Sequence, residues 1–170
     1  MTKALGFSLL LTAALLFSAQ RLTEGKRKMA ALDCFCVMLT HMRGILENQA
    51  PPMTELLDAL SRCCEGEARV FILRLRQGME RLGSASFREL WQEALSASVS
   101  ESDTEILREL DALGSVLGRY DLETQCASID NCLSALRRSR ERLQASLPQS
   151  GRLTFGIALC AALLLGVLLI

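Results

Sequence analysis

The chain has 170 residues, half of them hydrophobic, and Lys+Arg and Asp+Glu each total 19. That length suits one domain plus anchors, and a formal net charge of zero provides no global field to favour nucleic acid or an acidic substrate. The hydrophobic excess sits at the two ends, and the charge between Arg21 and Arg152 is balanced as in an ordinary soluble domain.

The first element is Ala4–Ala19 (ALGFSLLLTAALLFSA), which is uncharged and follows Lys3. A cleavable signal needs small residues at the first and third positions before the cut. A cut after Ala19 places Phe17 at the third position, and a cut after Ser18 places Leu16 there. Residues 1–20 therefore read as an uncleaved transmembrane anchor. The run is slightly short of the roughly 17–25 residues of a spanning helix, and Gln20 and the stem of Arg21 extend it by snorkelling. Lys26, Arg27 and Lys28 follow.

From about Lys28 to Leu46, Met29, Leu32, Cys36, Leu39, Met42 and Ile45 keep helical spacing, which predicts a helix able to run on from the anchor. Pro51 and Pro52 break it, because proline brings no donor and pushes the residue before it away from helix. A short helix follows with Leu56, Leu57 and Leu60, then another with Val70, Phe71, Leu75, Met79 and Leu82, closed by Gly83. Ser86 and Glu89 form a capping box that opens a helix bearing Phe87, Leu90, Trp91 and Leu95. Trp91 reads as a core residue there, since Phe87 and Leu95 lie one turn away on the same stripe. Ser96–Ser100 reads as a loop.

The next stretch, Ser102–Leu147, is a helical hairpin. Ser102 and Glu105 predict a second capping box, and Ile106, Leu110, Leu113 and Leu117 share one face. Gly118 is expected to end this helix in a left-handed conformation, with Gly114 one turn earlier as close-packing space. Asp121 is expected to cap the following helix, whose apolar face runs through Leu122, Cys126, Ile129, Leu133 and Leu136. Beyond Leu136 that helix turns basic with Arg137, Arg138, Arg140 and Arg142. Strand-like alternation is missing, so residues 21–152 read as an all-α bundle of about six helices.

The chain closes on Leu153–Ile170, 18 residues without a charge, which reads as a second transmembrane helix. Basic residues beside spans stay on the cytoplasmic side. Arg21, Lys26, Arg27 and Lys28 at one end, and Arg137, Arg138, Arg140, Arg142 and Arg152 at the other, thus predict a cytoplasmic bundle with a basic face toward membrane lipid. Seven cysteines and one histidine, His41, show no zinc-ligand spacing. The thiols read as structural, with Cys36, Cys63 and Cys126 on or beside apolar faces. No metal, cofactor, nucleic-acid or small-molecule site is expected, and no catalytic signature is visible. The alternative in a different class is a membrane-bound redox or metal-binding protein that uses its cytoplasmic cysteines.

The order of these elements resembles the stage III sporulation protein AB family across essentially the full chain. The resemblance is carried by RGILENQAPPMTELLDAL, by LWQEAL, and most specifically by Asp103–Gln125, where Leu107, Gly114, Leu117, Gly118, Asp121 and Gln125 match the family pattern. A departure lies at Gln49-Ala50-Pro51, where the family tends to have glycine and a threonine or serine around the proline. The resemblance implies a helical domain similar to the platform protein of type II secretion and type IV pilus machines. It also implies a place in the mother cell's outer forespore membrane within a channel complex. The implied partners are a cytoplasmic secretion-type ATPase and other channel membrane proteins. Gly114, Leu117, Gly118, Asp121 and Gln125 form a candidate structural or docking corner.

Overall fold

The computed structural model describes the backbone of residues 2–169 and the side chains of residues 23–146. Six helices follow one another: α1 (Thr2–Gln49), α2 (Met53–Cys63), α3 (Gly66–Gly78) running into a 3-10 turn (Met79–Arg81), α4 (Phe87–Ser98), α5 (Thr104–Gly114) and α6 (Leu122–Leu169). Among the described residues there is no strand, only an isolated bridge between Leu82 and Ala85. The chain divides into two compact units, Ala30–Arg140 and a second made of Met1–Met29 with Glu141–Ile170.

The unit Ala30–Arg140 is organised by its part of α1. Leu32, Phe35, Leu39, Met42 and Leu46 recur at three- and four-residue intervals and are buried, as is Met38 beside them. Leu56, Leu57 and Leu60 of α2 are fully buried. The inward face of α3 is Ala68, Phe71, Ile72 and Leu75, which corrects the sequence-based face, because Val70 is 43% and Leu82 53% exposed. The regular helix also ends at Gly78, before Gly83, and the chain then tightens into the 3-10 turn.

An aromatic column crosses the centre. The Phe35 and Phe71 rings lie 6.2 Å apart and Phe71 meets Trp91 edge-on at 4.8 Å. Trp91 is fully buried, as its stripe predicts, and its indole N–H donates to the Leu110 carbonyl at 2.8 Å. That bond satisfies the polar edge of the largest buried side chain.

The helix ends follow local chemistry, with corrections. The Ser86–Glu89 capping box forms in both directions. The Ser102–Glu105 box does not. Helix α5 starts at Thr104 with Asp103 at the cap position and no side-chain cap bond, while the Ser102 hydroxyl lies 3.0 Å from that of Ser100. The start lies one residue later than expected, and Asp103 at the cap position is 1% exposed. Ser96–Ser98 belong to α4 rather than to a loop, and the helix ends where the buried Val99 turns to extended backbone. Helix α1 ends where Ala50 takes φ +41° ahead of the two prolines, a conformation that costs an L-residue roughly 1–2 kcal/mol.

Thr23–Gln49, near the N-terminus, is long and apolar enough to cross a membrane by length and composition. Leu32, Phe35, Met38, Leu39, Met42 and Leu46 within it are buried in the Ala30–Arg140 unit, and a core helix of a folded domain passes the same test. The two stretches expected to span, Ala4–Ala19 and Leu153–Ile170, lie outside the residues described in their side chains.

Candidate functional site

Helix α5 stops at Gly114, and Ser115–Arg119 continue as tight turns before α6 begins. The expectation that Gly118 itself ends the helix is thus corrected by one turn. Gly114 is instead a point of close approach. An added Cβ there would fall 2.5 Å from Trp91 Nε1 and 2.6 Å from its Cγ, so the backbone passes directly under the indole. The apolar face nevertheless continues through Leu117, which is 1% exposed.

Gly118 adopts φ +74° and reverses the chain. Asp121 caps α6 as expected, its Oδ2 accepting from the Thr124 backbone N–H at 3.1 Å and its Oδ1 from the Thr124 hydroxyl at 2.7 Å. Those donors, the hydroxyl foremost, hold the Asp121 carboxyl below the ordinary aspartate range. Gln125 spans the corner. Its Oε1 accepts from the Gly118 N–H at 3.3 Å and its Nε2 donates to the Tyr120 carbonyl at 2.7 Å. One side chain therefore satisfies two backbone groups that the turn leaves outside regular helix. Between these clamps Tyr120 is 57% and Leu122 39% exposed. Leu122 is accordingly not part of the buried face of α6, which runs through Ile129, Cys132, Leu133 and Leu136.

The basic residues divide by role. Arg140 pairs with Asp33, and ten residues further along α1 and ten earlier along α6, Arg43 Nε donates to Asp130 Oδ2 at 2.9 Å. The equal steps in opposite directions set an antiparallel register between α1 and α6 within this unit. Each pair is partly exposed and contributes at most about 1 kcal/mol, so its value is alignment. Lys26, Arg27, Arg137, Arg138 and Arg142 are exposed and Lys28 half-buried, while Arg152 lies outside the residues described in their side chains.

Among the described residues the buried thiols are Cys64 and Cys132, whereas Cys63 is exposed, contrary to the sequence reading. Cys63 is the last residue of α2 and Cys64 its C-cap in extended backbone, and apolar spacing alone ranked the wrong one. Burial pushes both thiols up to about 12, helped at Cys64 by the neighbouring Cys63 and at Cys132 by Glu109. The Cys34 sulfur lies against Gly66, whose added Cβ would fall 2.8 Å from it, and burial again raises its pKa. Among the described residues no three His, Cys, Asp or Glu side chains gather as a metal set.

Sequence reasoning missed Phe35 and Met38 as core residues and both α1–α6 ion pairs. The signal was present as matched ten-residue spacings, Asp33 to Arg43 and Asp130 to Arg140, with the same acid-then-base order, which antiparallel pairing makes complementary. A search of curated proteins and a search of solved structures each return no match. The stage III sporulation protein AB family matches residues 3–170, nearly the whole chain. With that span covered, the aromatic-backed Gly114 and the Gly118–Gln125 clamp are features of a sporulation protein: the chain belongs to the stage III sporulation protein AB family.

Proposed function

We propose that the protein is a non-enzymatic membrane platform of a sporulation channel or secretion-like complex. Ala4–Ala19 and Leu153–Ile170 span the mother cell's outer forespore membrane and hold the helical domain at its cytoplasmic face. There the domain docks a cytoplasmic secretion-type ATPase and neighbouring channel membrane proteins. Membership of the family supports the sporulation setting. The basic residues that flank both apolar stretches on the side of the helical domain support the orientation.

The observation that carries docking is Tyr120, more than half exposed at a corner whose backbone Gln125 holds on both sides. An aromatic side chain on an already ordered backbone loses little freedom on contact, and such residues often dominate binding energy. The test is binding of the purified ATPase to the full chain in nanodiscs. Tyr120→Ala is expected to weaken binding by about tenfold or more with an unchanged melting temperature. Unaltered binding removes the corner as the docking point, and no binding by the unsubstituted chain removes the platform reading.

The alternative, a redox or metal-binding membrane protein, draws on the proximity of Cys34, Cys63 and Cys64. Thiolate is the reactive and metal-binding form, and the raised pKa values of Cys34 and Cys64 disfavour it. That chemistry leaves the platform as the better reading.

A further inference from the structure

We infer that Cys34, Cys63 and Cys64 form a thiol relay at the junction of α2 and α3, where a hydroperoxide meets Cys63 first and the disulfide that results joins Cys34 to Cys64. The inference goes beyond the platform reading and concerns a modification of the domain. All three residues lie within the Ala30–Arg140 unit. Cys63 closes α2, Cys64 follows as its C-cap in extended backbone, and Gly66 opens α3 at φ +58°. The Cys34 sulfur of α1 fills the space that a side chain on Gly66 would need, 2.8 Å from an added Cβ. Cys64 is two residues before that glycine, and two residues of chain span at most about 7 Å. The Cys64 thiol also senses both neighbours. Burial raises its pKa most, then Cys63 through charge and a side-chain hydrogen bond, then Cys34.

Exposure orders the relay. Cys63 is exposed, Cys34 half-buried and Cys64 2% exposed. Burial raises the pKa of Cys34 and Cys64, which keeps them as thiols and leaves first contact with an oxidant to the accessible residue. Hydrogen peroxide converts the Cys63 thiol to a sulfenic acid and releases one water. The Cys64 thiol then attacks that sulfur, forming an S–S bond and releasing a second water. Both cysteines sit at a helix end, where fraying gives the buried sulfur room to move. Adjacent Cα atoms stand about 3.8 Å apart, short of the roughly 4.4–6.8 Å usual for a disulfide. This first bond is therefore strained and open to exchange. Cys34 attacks the Cys64 sulfur, its proton passes to the Cys63 sulfur, and Cys63 leaves as a thiol. In sum two thiols lose two electrons to one peroxide, which becomes two waters. The lasting bond fixes α1 to the α2–α3 connection.

The experiment treats the full chain in nanodiscs with hydrogen peroxide, blocks the remaining thiols with iodoacetamide and maps disulfides by tandem mass spectrometry of the tryptic digest. A bond from Cys34 to Cys64 is expected. It should be absent from Cys34→Ser and form at least about tenfold more slowly in Cys63→Ser. Brief alkylation of the exposed Cys63 in the unsubstituted chain, before the peroxide, should slow it equally, so the result does not depend on how a variant folds. The oxidised chain should melt higher than the reduced one, because the bond restricts the unfolded state, and a thiol reductant should reverse the shift. A final bond between Cys63 and Cys64, a Cys63 sulfinic acid with no disulfide, a bond between two chains, or equal rates with and without a free Cys63 each overturn the relay. An oxidised chain that melts no higher overturns the pinning of α1. Partner binding plays no part in these readouts, so the platform reading stands or falls separately.

Discussion

At Gly114 an added Cβ would press into the Trp91 indole, whereas at Gly118, one turn later, it would meet nothing within 4 Å. Gly118 instead carries φ +74°. One glycine is required by the volume of the core and the other by the path of the backbone. The same contrast separates the regions they belong to. The column of Phe35, Phe71 and Trp91 is dry and held by bulk, with one indole hydrogen bond. The corner of Gly118, Asp121 and Gln125 is exposed and held by side chains that bond to the backbone. A region of the first kind resists substitution everywhere, while one of the second kind can expose an aromatic side chain and still keep a single shape.

The largest effect should come from the column. Trp91→Ala is expected to cost roughly 3–5 kcal/mol, as for a buried aromatic residue that leaves a cavity, read as a lower melting temperature of the full chain in nanodiscs. Gly114→Ala should cost about 1–3 kcal/mol through overpacking. Because both changes act on one space, the double variant should lose clearly less than the sum of the two. Additive losses would show that Gly114 is needed for its backbone and not for room.

The corner should respond with the opposite logic. Gly118→Ala is expected to cost about 1–2 kcal/mol although the site is open, because the penalty belongs to left-handed backbone in an L-residue. Gly118→Asn should cost less, since asparagine tolerates that conformation. If alanine and asparagine destabilise equally, the constraint at Gly118 is spatial after all and the contrast with Gly114 fails.

How far these regions were legible in sequence follows from the same physics. Helical spacing exposes a buried stripe, so Leu32, Leu39, Leu56, Leu60, Trp91 and Leu110 could be placed in the core without coordinates. Spacing cannot say which of two adjacent apolar residues turns inward when neighbouring helices decide it, and so Val70 and Cys63 were misplaced. Caps depend on one residue's backbone geometry. Ser86 met its partner, but Ser102 did not, because the helix starts one residue later with Asp103 at the cap position. Gly118 and Asp121 announced themselves by residue type. Gln125 was legible only through family resemblance, since no local rule predicts that a glutamine will reach back across a turn to two backbone groups. The α1–α6 ion pairs leave matched Asp-to-Arg spacings in the sequence, but which two segments pair is a long-range register that packing decides.

The smallest effect, and the one that separates charge from hydrogen bonding at the corner, should come from Asp121→Asn. Asparagine caps helices about as well as aspartate, so the bond from the Thr124 backbone N–H can persist and the variant removes mainly the negative charge at the start of α6. That charge is favourable beside a helix N-terminus. The Asp121 carboxyl titrates below its ordinary value of 3.8 in the folded chain, with the Thr124 hydroxyl the leading cause. A depressed folded-state pKa means that the carboxylate's contribution is complete above the ordinary value and is lost as pH falls through the folded one. The unsubstituted chain should therefore melt slightly above Asp121→Asn at neutral pH. The gap should close only as acid reaches the range below about 3.9, with thermal melts at matched salt as the measurement. A gap that persists there would assign the stabilisation to hydrogen-bond geometry that asparagine cannot copy. A gap that closes well above that range would mean that the carboxylate is not held by Thr124, and the corner would then owe its shape to Gly118 and Gln125 alone.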